Sequence, residues 1–209
     1  MAIEVEVLDL GINNLASLRR GLRDAGAKDL RVVASSNASR GADLMVLPGV
    51  GAFGAAMTEL SERGLDETLR RHVASGGYLF GVCLGMQLLA TASEESPGVT
   101  GLDLIPGQVR RLIPNSGTRV PNMGWGSSQA RETTDQFSVL NRPVDFYFVH
   151  SFAVVPDNDA SILAISEFGE QPFVSAIARD NIIGVQFHPE KSSRPGSELL
   201  SQVLEWADG

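Results

Sequence analysis

The sequence predicts an α/β fold: an open, mostly parallel sheet with flanking helices and antiparallel hairpin additions. Two patterns favour this class. Over residues 1–90, apolar runs of strand length alternate with runs at helical spacing, as in parallel sheets covered on both faces. Over residues 101–186, the runs are short and alternating, which is typical of antiparallel hairpins. No repeat or linker divides the chain, so we expect residues 1–209 to form one domain.

The first elements are a strand and a helix. Residues 2–8 alternate apolar and acidic side chains, which predicts a half-exposed strand. Leu15, Leu18 and Leu22 then recur at helical spacing, and Gly26 ends the predicted helix.

Further strands and helices follow in alternation. Residues 30–34 predict a short strand, and the fully apolar run 44–47 predicts a buried one that Pro48 ends. Residues 57–73 predict one or two helices, broken near Gly64.

The next strand, residues 78–82, leads directly into a helix. Residues 94–98 then form a polar, turn-rich loop. Short predicted strands follow at 108–113, 146–149, 161–166, 173–178 and 181–190. Residues 197–206 close the chain as an amphipathic helix.

The only cysteine lies where the strand at 78–82 meets its helix. Gly81 and Gly85 flank Cys83 at two positions on either side, which is the layout of a nucleophile elbow. The glycines allow a tight turn and close packing, and a helix N-terminus favours a thiolate. A lone cysteine in an apolar run is more commonly a buried core residue, and these residues alone leave that alternative open.

A candidate base lies near the C-terminus. In extended chain, residues two apart project to the same side, so the Glu190 carboxylate is predicted to hold the His188 imidazole, which takes the thiol proton. His150 is a competing base without such a carboxylate, and is predicted to line the pocket or to end a strand. His72 lies in a polar predicted helix and is predicted to be a surface residue.

Composition excludes several classes of function. The formal net charge is -8 and no basic run is present, so neither nucleic acid nor an anionic membrane surface is an expected partner. One cysteine excludes an intramolecular disulfide, and with only three widely spaced histidines it excludes a Cys/His zinc cluster. The chain begins with a strand and shows no signal peptide or membrane span, so we expect a cytoplasmic protein.

Four motifs together resemble a known family. They are Gly-Val-Cys-Leu-Gly-Met-Gln at 81–87, Gln-Phe-His-Pro-Glu-Lys-Ser at 186–192, Leu-Pro-Gly-Val-Gly-Ala-Phe-Gly at 47–54 and Tyr-Phe-Val-His-Ser-Phe at 147–152. The first two are similar to the signatures of class I (triad) glutamine amidotransferases. The other two narrow the resemblance to the glutaminase subunits of imidazole glycerol phosphate synthases. This resemblance implies that Cys83, His188 and Glu190 hydrolyse glutamine without a metal or an organic cofactor.

The resemblance also implies the rest of the site. An oxyanion hole of backbone N–H groups is implied for Gly49, Val50, Gly51 and Leu84. Substrate-binding residues are implied to be Gln87, His150, Ser151 and Phe152. Without the elbow, the segment 49–51 would be an ordinary glycine-rich β-to-α loop.

The implied partner is a (β/α)-barrel cyclase that forms a heterodimer with this chain and receives the ammonia. Interface residues are implied to be Asn13, Asn14, Trp125, Tyr147 and Lys191, with Trp125 in a loop.

The chain departs from the family pattern on this partner side. Asn122 stands where His is usual, Gly126 where Asn is usual, and Asn13 where Gly is usual. One alternative is therefore an amidotransferase that feeds a sugar-amidating partner in surface-polysaccharide biosynthesis. A catalytically silent interaction subunit is a second alternative, and a hydrolase or peptidase of related fold is a weaker one.

Overall fold

The computed structural model describes residues 3–11, 15–115 and 117–209, and the elements within them follow. The strands are β1 (Glu4–Leu8), β2 (Asp29–Val33), β3 (Leu44–Gly49), β4 (Tyr78–Cys83), β5 (Ala92–Ser93), β6 (Gly107–Arg111), β7 (Asn122–Ala130), β8 (Val144–His150), β9 (Phe152–Pro156), β10 (Ile162–Phe168), β11 (Gln171–Arg179) and β12 (Ile182–Val185). The helices are α1 (Leu15–Asp24), α2 (Phe53–Glu62), α3 (Leu65–Ala74), α4 (Leu84–Leu88) and α5 (Ser193–Asp208). Short 3-10 turns lie at Ser36–Ala38, Ser138–Asn141, Asp159–Ser161 and Pro189–Lys191.

A large mixed sheet forms the centre of the described structure. Its order is β2-β1-β3-β4-β12-β11-β10-β7-β8. The five strands from β2 to β12 run parallel to one another, and the remaining pairings, including that of β12 with β11, are antiparallel. This order confirms the predicted fold class, with the parallel half formed mainly by the first part of the chain.

A second, smaller sheet was not predicted. It contains β5, β6 and β9, with β6 and β9 antiparallel. The predicted strand at 108–113 therefore does not extend the large sheet. Gly107 allows the close pairing of β6 with β9, because a Cβ there would lie 2.6 Å from the carbonyl oxygen of Val155.

Helices cover both faces of the parallel half. On one face, α1 and α5 bury Leu18, Leu22 and Leu199 against the sheet. On the other face, α2 and α3 bury Leu60 and Leu65 in a second apolar cluster. Because helices cover both faces of the sheet, every residue of β3 is buried, which explains its continuous apolar sequence. Among the described residues, no helix is both long and apolar enough to cross a membrane.

The prediction of a half-exposed first strand was wrong. Strand β1 lies between β2 and β3 inside the parallel sheet, so both of its faces are covered. Glu6 is fully buried, and its carboxylate accepts hydrogen bonds from Ser39 Oγ at 2.7 Å and from the Arg40 N–H at 2.9 Å. These donors balance the desolvation of the carboxylate, which allows an acidic residue in this position.

Two predicted boundaries were also wrong. Pro48 does not end β3, which continues to Gly49. Pairing of β3 with β1 ends at Val46, so Pro48 lies in a segment that pairs with β4 only. Helix α2 begins at Phe53, earlier than predicted, because the distant Glu95 carboxylate accepts the Phe53 N–H at 2.7 Å.

Two residues lie in unexpected environments. Trp125 is in strand β7 and not in a loop, and Gly124 before it adopts φ of 134°, a conformation that favours glycine. His72 is largely buried and not a surface residue. Its ring packs where a Cβ on Gly77 would lie, and its Nε2 is 2.8 Å from the Tyr78 carbonyl oxygen. Burial lowers the pKa of His72, so the neutral ring donates to this carbonyl.

Candidate active site

Cys83 lies at a sharp turn between β4 and α4. Its backbone φ is 56°, a left-handed conformation that is strained for a side chain other than glycine. The turn packs directly on β3: a Cβ on Gly85 would lie 1.7 Å from the carbonyl oxygen of Leu47. A Cβ on Gly81 would lie 2.9 Å from backbone atoms of Gly85. Both flanking glycines are therefore required by this nucleophile-elbow geometry.

The elbow opens into a cavity of about 290 Å³. Its lining residues are Val50, Gly51, Cys83, Leu84, Gln87, Glu95, Pro121, Val149, His150, Ser151 and Phe152. The structure thus brings the predicted nucleophile together with all four predicted substrate-binding residues and three of the four predicted oxyanion residues. A larger surface cavity of about 420 Å³ is lined by Arg131 and Asp159 and contains none of the predicted site residues.

Gly49, the fourth predicted oxyanion residue, lies behind the wall of this cavity. It pairs with Cys83 in the sheet register, and a Cβ on it would lie 2.7 Å from Leu84 Cβ. It lines a second, small cavity together with Val50, His188 and Glu190. His188 and Glu190 thus line a different cavity from the one that Cys83 lines, and Val50 lines both.

His188 and Glu190 form a buried pair. Their Nδ1 and Oε1 atoms are 2.8 Å apart, and both side chains are almost fully buried. The geometric reason differs from the prediction: Glu190 lies in the 3-10 turn Pro189–Lys191 and not in an extended strand. Within that turn, the carboxylate folds back toward the ring that precedes it.

The environment of His188 favours its charged form. Burial lowers the pKa, but the Cys83 sulfur and the Glu190 carboxylate together raise it to about 10. Nε2 of His188 is buried and makes no hydrogen bond to a described residue. Cys83 therefore raises the pKa of His188 through its proximity, without a formed hydrogen bond. The arrangement is that of a thiol, an imidazole and a carboxylate that orients the ring, which are the parts needed for nucleophilic catalysis.

The loop that carries His188 is fixed by β8. The His188 N–H donates to the Tyr147 carbonyl oxygen at 2.8 Å. The buried Ser192 hydroxyl donates to the His188 carbonyl oxygen at 2.6 Å and accepts from the Tyr147 N–H at 2.9 Å. Sequence reasoning missed Ser192, because its contacts depend on a strand that is 45 residues away in the chain.

A chain of side-chain amides runs behind the cysteine. Gln87 Nε2 donates to the Phe152 carbonyl oxygen and to Gln186 Oε1, both at 3.0 Å. Gln186 Nε2 in turn lies 3.7 Å from the sulfur of Cys83. Gln186 was not predicted as a site residue, although a polar residue between Val185 and Phe187 in an apolar run is a signal of a buried polar role.

His150 is a neutral residue in the cavity wall. Its Nδ1 lies 2.8 Å from the Phe152 carbonyl oxygen, which can only accept, so Nδ1 carries the proton. Nε2 then accepts from the Asn122 side-chain amide at 3.0 Å. Burial and, to a smaller extent, the charge of His188 lower the pKa of His150 to about 4. These contacts favour a pocket-lining role over that of a base.

Glu95 is a cavity residue that sequence reasoning missed. It lies in the loop predicted at 94–98 and supplies the only carboxylate among the described residues that line this cavity. One of its oxygens accepts the Phe53 N–H. The local sequence shows only a polar turn, and the position of Glu95 over the cavity depends on its contact with α2.

Residues 6–205 match the model of the family described as glutamine amidotransferase class-I. The chain belongs to this family. Two relatives are similar over almost their whole length. Subunit HisH 2 of imidazole glycerol phosphate synthase from Nitrobacter winogradskyi is 42% identical over 97% of this chain and 98% of its own. Subunit HisH of the same synthase from Methanothermobacter thermautotrophicus is 43% identical over 96% of this chain and 98% of its own.

Solved structures share the amidotransferase fold. A glutamine amidotransferase crystal structure has a TM-score of 0.75 at 19% identity, with 98% of this chain and 99% of that chain covered. A glutamine amidotransferase from Thermotoga maritima has a TM-score of 0.66 at 13% identity, with 100% of this chain and 85% of that chain covered.

The predicted partner-side residues of this amidotransferase lie together at the surface. The Trp125 ring meets the Tyr147 ring edge-on, with centroids 6.2 Å apart, and Lys191 Nζ lies 5.7 Å from the Tyr147 ring centroid. Trp125 is 56% exposed, and Met123, two positions earlier on the same strand, is 63% exposed. Asn13 and Asn14 lie outside the described residues.

Proposed function

We propose that this amidotransferase is the glutaminase subunit of an imidazole glycerol phosphate synthase, which hydrolyses glutamine through a thioester on Cys83. The observation that carries the proposal is the strained elbow that presents Cys83 in a cavity, with the buried His188–Glu190 pair next to it. Relatives with this name, at 42% and 43% identity over nearly the whole chain, support the choice of synthase.

The first half of the reaction forms the thioester. The Cys83 thiolate attacks the carboxamide carbon of glutamine, and the carbonyl oxygen becomes an oxyanion. His188, held as an imidazolium by Glu190, gives its proton to the amide nitrogen, which leaves as ammonia.

The second half releases glutamate. Neutral His188 takes a proton from water, which attacks the thioester carbon. Collapse of this intermediate restores the thiolate and the imidazolium. The proton transfers in both halves use only His188 and water.

Backbone N–H groups are the proposed oxyanion donors. Leu84 is the first residue of α4, so its N–H has no acceptor within the helix, and it lines the cavity next to Cys83. Val50 and Gly51 line the same cavity from the β3 side. One such donor typically contributes about 3 kcal/mol to transition-state stabilisation.

The cavity offers complementary groups for the glutamine backbone. Both hydrogens of Gln87 Nε2 are engaged by Phe152 and Gln186, so toward substrate Gln87 can act only as an acceptor through Oε1. Glu95 supplies a negative charge for the α-ammonium group of the substrate. Peptide N–H groups at 150–152 are proposed to meet the α-carboxylate.

The proposed partner is a (β/α)-barrel cyclase that takes the ammonia, in the cytoplasm, as one half of a heterodimer. The exposed Trp125, with the Tyr147 ring packed edge-on beside it, supplies the aromatic side chains that are enriched at interface hot spots. Asn122 stands where the family usually has His, but its side-chain amide contacts His150, which lines the cavity. This departure from the family pattern is therefore compatible with a cyclase partner. A sugar-amidating partner is the second candidate, because Gly126 in β7 stands where the family usually has Asn.

Glutaminase turnover, measured with and without the cyclase and its nucleotide substrate, tests the proposal. We expect strong stimulation by the cyclase, and loss of turnover in Cys83→Ala. Turnover retained in Cys83→Ala would overturn the catalytic assignment. Absence of stimulation, with Cys83 still labelled by a glutamine-analogue electrophile, would favour the sugar-amidating partner. Absence of both turnover and labelling would favour a silent interaction subunit.

A further inference from the structure

Gln186 is fully buried, and its backbone N–H and both ends of its side-chain amide have partners. The backbone N–H donates to the Ser175 carbonyl oxygen at 2.9 Å. Oε1 accepts from Gln87 Nε2 at 3.0 Å, and Nε2 lies 3.7 Å from the sulfur of Cys83. The amide thus connects a substrate-binding residue to the nucleophile without lining the substrate cavity itself.

The orientation of this amide is fixed by its neighbours. The Phe152 carbonyl oxygen can only accept, so the Gln87 group that faces it is the NH₂ group. That same NH₂ group faces Gln186, so the Gln186 atom it meets is the oxygen. The Gln186 NH₂ group is then the end that lies against the sulfur.

We propose that Gln186 is a positioning residue that donates a hydrogen bond to the Cys83 thiolate and holds Gln87 in its substrate-binding orientation. This inference rests on the glutaminase function proposed above. In the thiolate that begins the reaction, the sulfur carries a full negative charge, so its hydrogen bond from Gln186 is strong. When the thioester forms, the sulfur loses that charge and the bond weakens. The same bond strengthens again as the thiolate leaves in the hydrolytic step.

Two measurable effects follow from removing the amide. Without the donor, the thiolate is less stabilised, so Cys83 should require a higher pH to react. Without the Oε1 acceptor, Gln87 is free to rotate, so KM for glutamine should rise. If Gln186 only filled space, its substitution would change neither the pH dependence of Cys83 reactivity nor the KM for glutamine.

Alkylation of Cys83 by iodoacetamide tests the first effect, and the signal is unambiguous because Cys83 is the only cysteine. In Gln186→Leu, we expect the pH of half-maximal alkylation to move upward and the rate at pH 6 to fall about tenfold, the usual scale for a hydrogen bond to a charged group. We also expect a higher KM in the cyclase-stimulated glutaminase assay. Gln186→Met, which has nearly the same length, serves if the leucine variant does not fold.

Ser128→Ala is the matched control. It removes a buried hydroxyl that hydrogen-bonds to Ser175 Oγ at 2.7 Å, next to Gln186 but without contact to the sulfur. We expect an unchanged alkylation profile in this variant. A Gln186 variant that is less stable but keeps the wild-type pH profile and KM would overturn the inference while leaving the proposed function intact. A wild-type chain without glutaminase activity would instead overturn the proposed function.

Discussion

The peptide N–H of His188 donates to the carbonyl oxygen of Tyr147 at 2.8 Å. Tyr147 belongs to the proposed partner surface, and His188 is the proposed proton-transfer group. This backbone hydrogen bond therefore links the partner surface to the catalytic site. Ser192 reinforces the link by bonding to both backbones. A shift of β8 on partner binding would therefore be transmitted through these hydrogen bonds to the loop that carries His188.

Ser192→Ala should weaken both the fold and the reaction. The buried hydroxyl makes two hydrogen bonds, and its loss leaves the Tyr147 N–H without that acceptor. We expect a loss of about 1–3 kcal/mol in the free energy of unfolding, measured with urea, and a lower kcat. Ser166→Ala is the control, because its buried hydroxyl has no hydrogen-bond partner among the described residues. Equal effects of the two substitutions would contradict the positioning role of Ser192.

The pKa of His188 should depend on Cys83. It is raised to about 10 because Cys83 and Glu190 outweigh burial. In Cys83→Ala the contribution of the sulfur is absent, so we expect a lower titration midpoint by NMR of the imidazole carbons. Since the folded pKa lies above the ordinary value of 6.5, the stabilisation from His188 is present below pH 6.5 and is lost as the pH rises through about 10. Identical midpoints in the two proteins would contradict the contribution of Cys83 to the pKa of His188.

The parts of the fold that depend on local pattern could be predicted from the sequence. Strand β4, its flanking glycines and α4 are adjacent in the chain, and their periodicity shows the turn that presents Cys83. The helix break at Gly64 was predicted correctly for the same reason, since Gly64 adopts φ of 65°. His188 and Glu190 are two residues apart, so their proximity could be predicted even though the backbone between them forms a 3-10 turn.

The parts that depend on distant contacts could not be predicted. Glu6 is buried because donors from 39–40 reach it, and no local pattern shows that. Strand β7 contains Gly124 and Gly126, which indicate a turn by composition, yet pairing with β8 makes it a strand. Glu95 was missed for a related reason: its place over the cavity is fixed by a helix 42 residues away.

His150 should make stability fall in mild acid. Its pKa is lowered to about 4, below the ordinary value of 6.5, because burial favours the neutral ring. The stabilisation from the neutral ring is therefore present above pH 6.5 and is lost as the pH falls toward 4. Relative to His150→Gln, the wild type should lose about 2 kcal/mol of unfolding free energy between pH 6.5 and 5, measured with urea. A pH-independent difference between the two proteins would show that His150 is not held neutral.

Glu95→Gln should impair binding more than chemistry. Glutamine at position 95 can still accept the Phe53 N–H, so α2 keeps its cap, but the negative charge proposed to meet the substrate ammonium is lost. We expect KM for glutamine to rise about tenfold or more with little change in kcat, measured in the cyclase-stimulated assay. Glu94→Gln is the control, because its carboxylate accepts the Arg111 N–H and does not line the cavity. A fall in kcat alone would assign Glu95 a different role.

Trp125→Ala should weaken binding of the cyclase. The indole is 56% exposed on β7 and packs edge-on against Tyr147, which places a large apolar surface beside the Lys191 charge. Truncation of an aromatic anchor typically costs more than 1 kcal/mol, so we expect half-maximal stimulation of glutaminase to need about tenfold more cyclase. Val32→Ala is the control, since this exposed residue lies on β2 at the opposite edge of the sheet. If Trp125→Ala and Val32→Ala both titrate like the wild type, the partner binds a different face, and the cluster at Trp125 has only a structural role.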